Sequence, residues 1–348
     1  MRTDRSTASA TEARGGRPRR RSSGALALAA LALAAGACGA VQIETSAEPT
    51  GTRYGTAAVV AEEAADGGAT TAIVTTGDAY ADALAAAPLA AELDAPILLT
   101  GPDELPEETA DALDDLEVDE VVVLGGEAAV GPEVEEALAE DFDVERRAGE
   151  NRFATAAMLA GDAFPDGADT AVIVTGTTFA DAPAAAPLAA QNDAPILLAT
   201  ADSVPPETAS ALEALGVSQV LLLGGEGALG PAVEAQLGER HDVRRIAWTD
   251  RYGTAAVAAI EAFPDGAETA VLVTGTGFAD ALAAAPLAEQ RGAPILLTDP
   301  DALPEPTSEA LGQLGVEEVV VVGGEGAVGL PVTNALAAEG YRFERLVG

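Results

Sequence analysis

Arg53-Tyr54-Gly55-Thr56-Ala57-Ala58 returns as Arg152-Phe153-Ala154-Thr155-Ala156-Ala157 and again as Arg251-Tyr252-Gly253-Thr254-Ala255-Ala256, at a constant step of 99 residues. Other landmarks keep the same step. Asp82, Asp181 and Asp280 stand in Tyr/Phe-Ala-Asp-Ala, and Pro96, Pro195 and Pro294 each lead into Ile-Leu-Leu. Gly125-Gly126, Gly224-Gly225 and Gly323-Gly324 each close an apolar run, and the register holds until one inserted residue, Leu330. A fixed register over this distance means three copies of one module, at 52–150, 151–249 and 250–348. Each is far longer than a solenoid repeat and large enough to hold its own core.

Within a module, Thr52, Asn151 or Asp250 precedes the arginine. All three are good helix N-caps, so a helix starts there and runs through alanine-rich sequence to about residue 65, 164 or 263. A β-branched run follows (71–75, 171–175, 270–274) and reads as a strand buried on both faces. The next helical stretch carries the repeated aspartate and is interrupted by Pro88, Pro187 or Pro286, which predicts a kink or two short helices. Ile-Leu-Leu is the second strand. An acidic helix leads to the third strand, which ends in Gly-Gly-Glu, and a fourth helix leads to a short strand carrying Arg146, Arg245 or Arg345. Alternation of strand and helix predicts an α/β module with a parallel sheet, and ligands of such sheets bind beyond the carboxyl ends of the strands.

The front of the chain is of another kind. Seven arginines precede a short apolar run at 25–37, which reads as a secretory signal rather than a span. Ala35-Gly36-Ala37-Cys38 resembles a lipobox, giving residues 1–38 as a signal peptide with Cys38 as the lipid-carrying residue. The alternative is Ala-x-Ala cleavage with Cys38 incidental. Residues 39–51 read as a polar tether. Cys38 is the only cysteine, which leaves no disulfide framework. The whole chain carries a formal charge of −39; without residues 1–37 there are 11 arginines, no lysine and 55 acids, a net −44. That field argues against nucleic acid and against an anionic membrane surface, so that only a lipid anchor would bring the protein to a membrane.

Gly225-x-Gly227-x-x-Gly230 and Gly324-x-Gly326-x-x-Gly329 match a dinucleotide fingerprint, but Glu226 and Glu325 would repel a pyrophosphate and Ala128 replaces the middle glycine in module one. A tight turn is the favoured reading. Arg53, Arg152 and Arg251 stand at the first helical position, where a cation opposes the helix dipole at a cost of about 0.3–1 kcal/mol. Two compensations are open: an ion pair with Asp82, Asp181 or Asp280 of the same module, or contact with an anionic ligand. His241 is the single histidine and has no counterpart in the other modules, and no paired acid and base stands out, so no catalytic residues are expected. A calcium site made of carboxylates and carbonyls stays open, but no EF-hand loop is present, no metal ligands are assigned, and no cofactor is expected.

Arg-Tyr/Phe-x-Thr-Ala, Tyr/Phe-Ala-Asp-Ala, Ala-Pro-Ile-Leu-Leu and the apolar run ending in Gly-Gly-Glu together resemble the bacterial cell-wall-binding repeat of type 2, over essentially all of 52–348. The resemblance implies three Rossmann-like modules about a pseudo-threefold axis and noncovalent attachment to an anionic secondary wall polysaccharide of Gram-positive bacteria. The chain departs from the family pattern in its acidity and in Pro183, where the other modules carry Leu84 and Leu282. The expectation is an extracellular, envelope-associated binding protein without catalysis, held at the wall or the outer face of the membrane. Its rivals are a solute- or sugar-binding lipoprotein and a modifier of a wall hydrolase. The ligand residues expected are Arg53, Arg152 and Arg251, Arg146, Arg245 and Arg345, Asp82, Asp181 and Asp280, and the turn glycines Gly126, Gly225 and Gly324.

Overall fold

A computed structural model describes residues 42–44, 51–65, 68–78 and 80–348. The expected signal peptide, Cys38 and most of the expected tether lie outside the described residues. Part of the tether does not: Gln42–Glu44 forms a strand, β1.

Module one comprises α1 (Arg53–Ala65), β2 (Thr71–Thr76), α2 (Ala81–Ala85), α3 (Ala87–Glu92), β3 (Ile97–Thr100), α4 (Glu107–Asp115), β4 (Glu120–Leu124), α5 (Pro132–Leu138) and β5 (Asp143–Arg147). Module two repeats this as α6 (Arg152–Ala163), β6 (Thr170–Thr175), a 3₁₀ turn at Ala182–Ala184, α7 (Ala185–Gln191), β7 (Ile196–Ala199), α8 (Pro206–Ala214), β8 (Gln219–Leu223), α9 (Pro231–Gly238) and β9 (Asp242–Ile246). Module three runs α10 (Arg251–Ala262), β10 (Thr269–Thr274), α11 (Ala279–Gln290), β11 (Ile295–Thr298), α12 (Glu305–Leu314), β12 (Glu318–Val322), α13 (Leu330–Glu339) and β13 (Arg342–Leu346).

Each module holds one parallel sheet. The orders are β3-β2-β4-β5, β7-β6-β8-β9 and β11-β10-β12-β13, with β1 added parallel to β13 at the outer edge of the third. Register is conserved from copy to copy: Ile73 pairs Ile97, Val172 pairs Ile196, and Val271 pairs Ile295. The chain steps from β2 out to β3 and then crosses back to β4 on the other side of β2, so the topology switches between β2 and β4 and a crevice opens at their carboxyl ends, where a ligand of a doubly wound sheet belongs.

The helix starts follow from their caps. Thr52 Oγ1 accepts from Gly55 N–H (3.0 Å), Asn151 from Phe153 and Ala154, and Asp250 from Gly253. The proline-bearing helix differs between copies. It is two helices in module one and a 3₁₀ turn plus helix in module two, whereas α11 in module three is unbroken and carries Pro286 inside it. In module two the break falls at Pro183 rather than Pro187, because Pro183 forces a tighter first turn.

The modules close into a ring about a pseudo-threefold axis. α2 and α3 of module one pack on α6, α7 of module two packs on α10, and α11 of module three packs back on α1. A buried aliphatic core runs through all three, from Val60 and Ile73 through Leu188 and Val174 to Leu287 and Leu296. Alanine dominates the helix faces at these contacts, and small side chains let the helices approach closely. Tyr80, Phe179 and Phe278 meet one another, with ring centroids 6.4, 6.0 and 5.8 Å apart. Each comes from a different module and the same place in the repeat, so they mark the axis. The Gly51 N–H donates to Gly348 O (2.8 Å), joining the end of module three to the start of module one. Among the described residues no helix is long and apolar enough to cross a membrane.

Candidate ligand-binding site

At each junction the carboxyl ends of one module's strands meet the first turn of the next module's leading helix. The repeated aspartate sits at that meeting. In its own module it lies against the Gly-Gly turn: a Cβ on Gly125, Gly224 or Gly323 would stand 2.9, 2.9 or 2.7 Å from the carboxylate Oδ2 of Asp82, Asp181 or Asp280. These glycines also take φ of +99°, +125° and +109°, so both conformation and space require glycine there.

Across the junction the aspartate faces the next module, which corrects the same-module pairing expected from the sequence. Burial pushes the Asp82 carboxyl up, opposed by the Arg152 guanidinium and a hydrogen bond from Thr155. Burial likewise raises Asp181, opposed by a hydrogen bond from Thr254 and by Arg251. Asp280 is pushed up to about 6 by burial, with Arg53 of module one opposing. The three relations run one to two, two to three and three to one. They are cyclic because the aspartate-bearing helix of each module packs on the leading helix of the next. Asp82 Oδ1 is buried without a hydrogen-bond partner.

Within its own module each arginine of the organising run reaches the turn after the first strand. Arg53 donates to Gly77 O, Arg152 to Gly176 O (2.6 Å) and Arg251 to Gly275 O. Arg53 also pairs with Asp78 at 3.2 Å, although both side chains are about half exposed and such a pair is weak. Arg251 lies 5.3 Å over the Phe179 ring. The carbonyl bond fixes one end of each guanidinium and leaves the rest of its donor fork at the junction.

Arg146, Arg245 and Arg345 are held differently. Arg146 binds Glu135 through two nitrogens (2.9 and 2.6 Å), and donates to Gly125 O and Val130 O. Arg245 repeats this with Glu234 and Gly224 O, and Arg345 donates to Gly323 O and Val328 O. All three brace the Gly-Gly turn from beneath, and Arg146 and Arg245 are more than four-fifths buried. Gly126 is exposed, and Gly225 and Gly324 are half-buried, at the rim.

The junction of modules three and one holds an open crevice of about 490 Å³. Thr52, Arg53 and Thr56 form one wall, and Asp280, Gly324, Gly326 and Val347 the other, with Phe179 and Phe278 toward the axis. A cleft with a cation at one side, a buried carboxylate opposite and glycine backbone between can orient a polar, hydroxyl-rich or anionic group.

Sequence reasoning missed three features. Thr155 and Thr254 lie inside the organising run, and their recurrence was the signal, but only the ring shows that they reach the preceding module. The axis aromatics precede the repeated aspartate by two residues, at the same 99-residue step. Trp248 has no counterpart in the other copies and so gave the repeat nothing to reveal.

The cell wall binding domain 2 (CWB2) profile matches residues 51–135, 146–234 and 245–332. The chain is 32% identical over 285 residues to N-acetylmuramoyl-L-alanine amidase LytC of Bacillus subtilis, covering 82% of this chain and 56% of that protein. It is 31% identical over 271 residues to the Amidase enhancer of the same organism, covering 78% of this chain and 37% of that protein. The chain thus spans little more than half of one of these relatives and about a third of the other. Among solved structures, Cwp6 from Clostridium difficile superposes with a TM-score of 0.78 at 25% identity, over 87% of this chain and 48% of that one. Cwp8 from the same organism gives 0.74 at 30% identity, over 86% and 51%.

Proposed function

The chain belongs to the cell wall binding domain 2 family, and from that premise we propose that it binds a wall polysaccharide noncovalently through its three junction crevices, without catalysis. The observation that carries this reading is the threefold recurrence of one arrangement: an arginine at the first turn of a helix, a partly or fully buried aspartate facing it from the previous module, and a Gly-Gly turn beside them. A polymer with repeating units can occupy more than one such crevice, and linkage of this kind raises avidity by roughly 10²–10⁴.

The charge of the chain does not stand against an anionic polymer. The six repeated arginines, of the 11 outside residues 1–37, all stand at the junctions or against the Gly-Gly turns. At physiological ionic strength fields decay over about 8 Å, so a group inside a crevice senses those arginines more than the distant acidic surface. Arg53, Arg152 and Arg251 are the proposed ligand contacts, with Gly126, Gly225 and Gly324 allowing close backbone approach. Arg146, Arg245 and Arg345 hold the turn in place, and Asp82, Asp181 and Asp280 orient the arginines and hydroxyl groups of the ligand.

Retention on isolated cell walls, before and after the wall polysaccharides are stripped, tests the reading. Replacing one of Arg53, Arg152 or Arg251 by glutamine weakens retention modestly, and replacing all three abolishes it while the circular dichroism melt stays cooperative. A folded triple variant retained like the wild type would sink the assignment. A second reading is favoured by the identity of two relatives, an amidase and an amidase enhancer: the chain acts beside a wall hydrolase. Turbidity clearing of walls by an added amidase, with and without this protein, tests that role. Cys38 would add a lipid anchor, and Cys38→Ala would then move the protein from the membrane fraction to the wall or medium.

A further inference from the structure

We propose that Trp248 is a stacking platform for one sugar ring of the bound polymer, and that it sets the crevice between modules two and three apart from the other two. The inference rests on the wall-polysaccharide reading above. Trp248 is the only tryptophan of the chain and is 58% exposed. Its counterparts in the repeat are Gly149 and Gly348.

Its place is a rim. At the three–one junction the crevice wall includes Val347 and then resumes at Gly51, Thr52 and Arg53, so the Gly348 position lies between lining residues. Pseudo-threefold symmetry puts Trp248 at the same point of the two–three junction, between Ala247 and the Thr249-Asp250-Arg251 entry to α10. Its carbonyl oxygen stands 3.8 Å from where a Cβ of Gly225 would be, at the Gly-Gly turn.

The indole is held on one side only. Its backbone N–H donates to Thr254 Oγ1 at 3.1 Å. The ring rests directly on the first turn of α10, because Gly253 has no side chain: a Cβ there would stand 2.0 Å from Trp248 Cδ1 and 2.4 Å from Cγ. More than half of the residue's surface stays exposed to solvent. A rigid aromatic face carries negative quadrupole density, which attracts the polarised C–H face of a pyranose, and covering it removes apolar area from water. Three residues further along the helix entry, Arg251 can take an anionic substituent of the same or the next sugar. A flat, apolar-faced ring with a polar rim is the ligand chemistry these groups fit together.

The single tryptophan makes the test direct. Wild-type emission is followed while soluble polysaccharide, released by dilute acid from isolated cell walls, is added; saturable quenching or a wavelength shift is expected. Trp248→Gly carries the residue natural to the other modules, and should weaken wall retention roughly tenfold. Trp248→Phe keeps a ring and should retain most of the binding, whereas Trp248→Leu keeps apolar bulk without a ring and should bind like the glycine variant. Equal retention of the phenylalanine and leucine variants, or wild-type emission unmoved by polysaccharide while the wild type is held on walls, overturns the stacking role and leaves the wall-binding reading standing. Failure of the wild type itself to bind walls overturns both.

Discussion

Asp280 of module three faces Arg53 of module one, so the last copy of the repeat meets the first across the junction that closes the ring. Burial dominates over the arginine, and the carboxyl is pushed up from its ordinary 3.8 to about 6. The folded protein therefore binds more protons here than the unfolded chain between about pH 4 and pH 6. The stability this group lends is fully present below about pH 4 and is lost as pH rises through 6, amounting to about 3 kcal/mol at most. Asp82 and Asp181 are raised by burial too and act in the same direction. Asp280→Asn is expected to raise the melting temperature at pH 7.5 and to change it little at pH 4.5. A uniform shift at both values would show that the aspartate is held by something other than burial and Arg53.

The axis supplies a second test. Phe179 touches both Tyr80 and Phe278, and carries the Arg251 guanidinium over its face. Phe179→Ala removes three contacts at a place where all three modules meet. Since the ring is only partly buried, the loss should lie near the low end of the range for phenylalanine truncation, about 3 kcal/mol. Denaturant unfolding should shift as a single transition. Melting of module two alone, with the other modules unaffected, would show that the axis does not couple them.

Much of this architecture could be read from spacing. The 99-residue step set the modules, the caps at Thr52, Asn151 and Asp250 set the leading helices, and the continuous apolar runs set the parallel strands. What the spacing could not show was which module each side chain serves. Asp82 is nearer in sequence to Arg53 than to Arg152, yet it faces Arg152 because the helix that carries it packs on the leading helix of the next module. Arg146 and Arg53 looked alike as repeated cations. One is buried on Glu135 and the other is exposed at a junction, a difference set by the offset between β5 and α5 and invisible in one dimension. Trp248 falls outside any repeat argument, since its neighbours in register are glycines.

Charge gives a third expectation. Apart from residues 1–37 the chain carries a net −44, spread over surfaces with few ion pairs. Added salt shortens the reach of that repulsion, from a Debye length of about 30 Å at 0.01 M to about 3 Å at 1 M. The melting temperature should climb steadily with sodium chloride over this range, and most steeply at the low end. A melting temperature independent of salt would mean that the acidic surface is already neutralised by bound cations.

Ring closure gives the last and most demanding expectation. Modules one and two, and two and three, are tied by the chain itself, whereas three and one are held by contacts, among them β1 on β13, Gly51 N–H on Gly348 O, α11 on α1, and the Arg291–Glu63 pair. If the three junctions are equivalent, the covalent break can be moved. A permuted chain of residues 150–348 followed by 51–149 should fold to the same ring, because the new link spans a distance already bridged by a hydrogen bond. Its melting temperature should fall within about 5 °C of the unpermuted protein, a shift corresponding to a kcal/mol or two. A chain of 51–249 alone should behave otherwise. It uncovers the face of α1 that α11 buries and the face of α7 that α10 buries, and it leaves Phe179 and Tyr80 without Phe278. Heterologous faces that no longer close are free to associate, so this chain should aggregate or form larger oligomers in light scattering. A monomeric two-module chain that melts cooperatively at the full protein's temperature would show that the modules are independent and merely adjacent, and the threefold crevice would lose its structural basis.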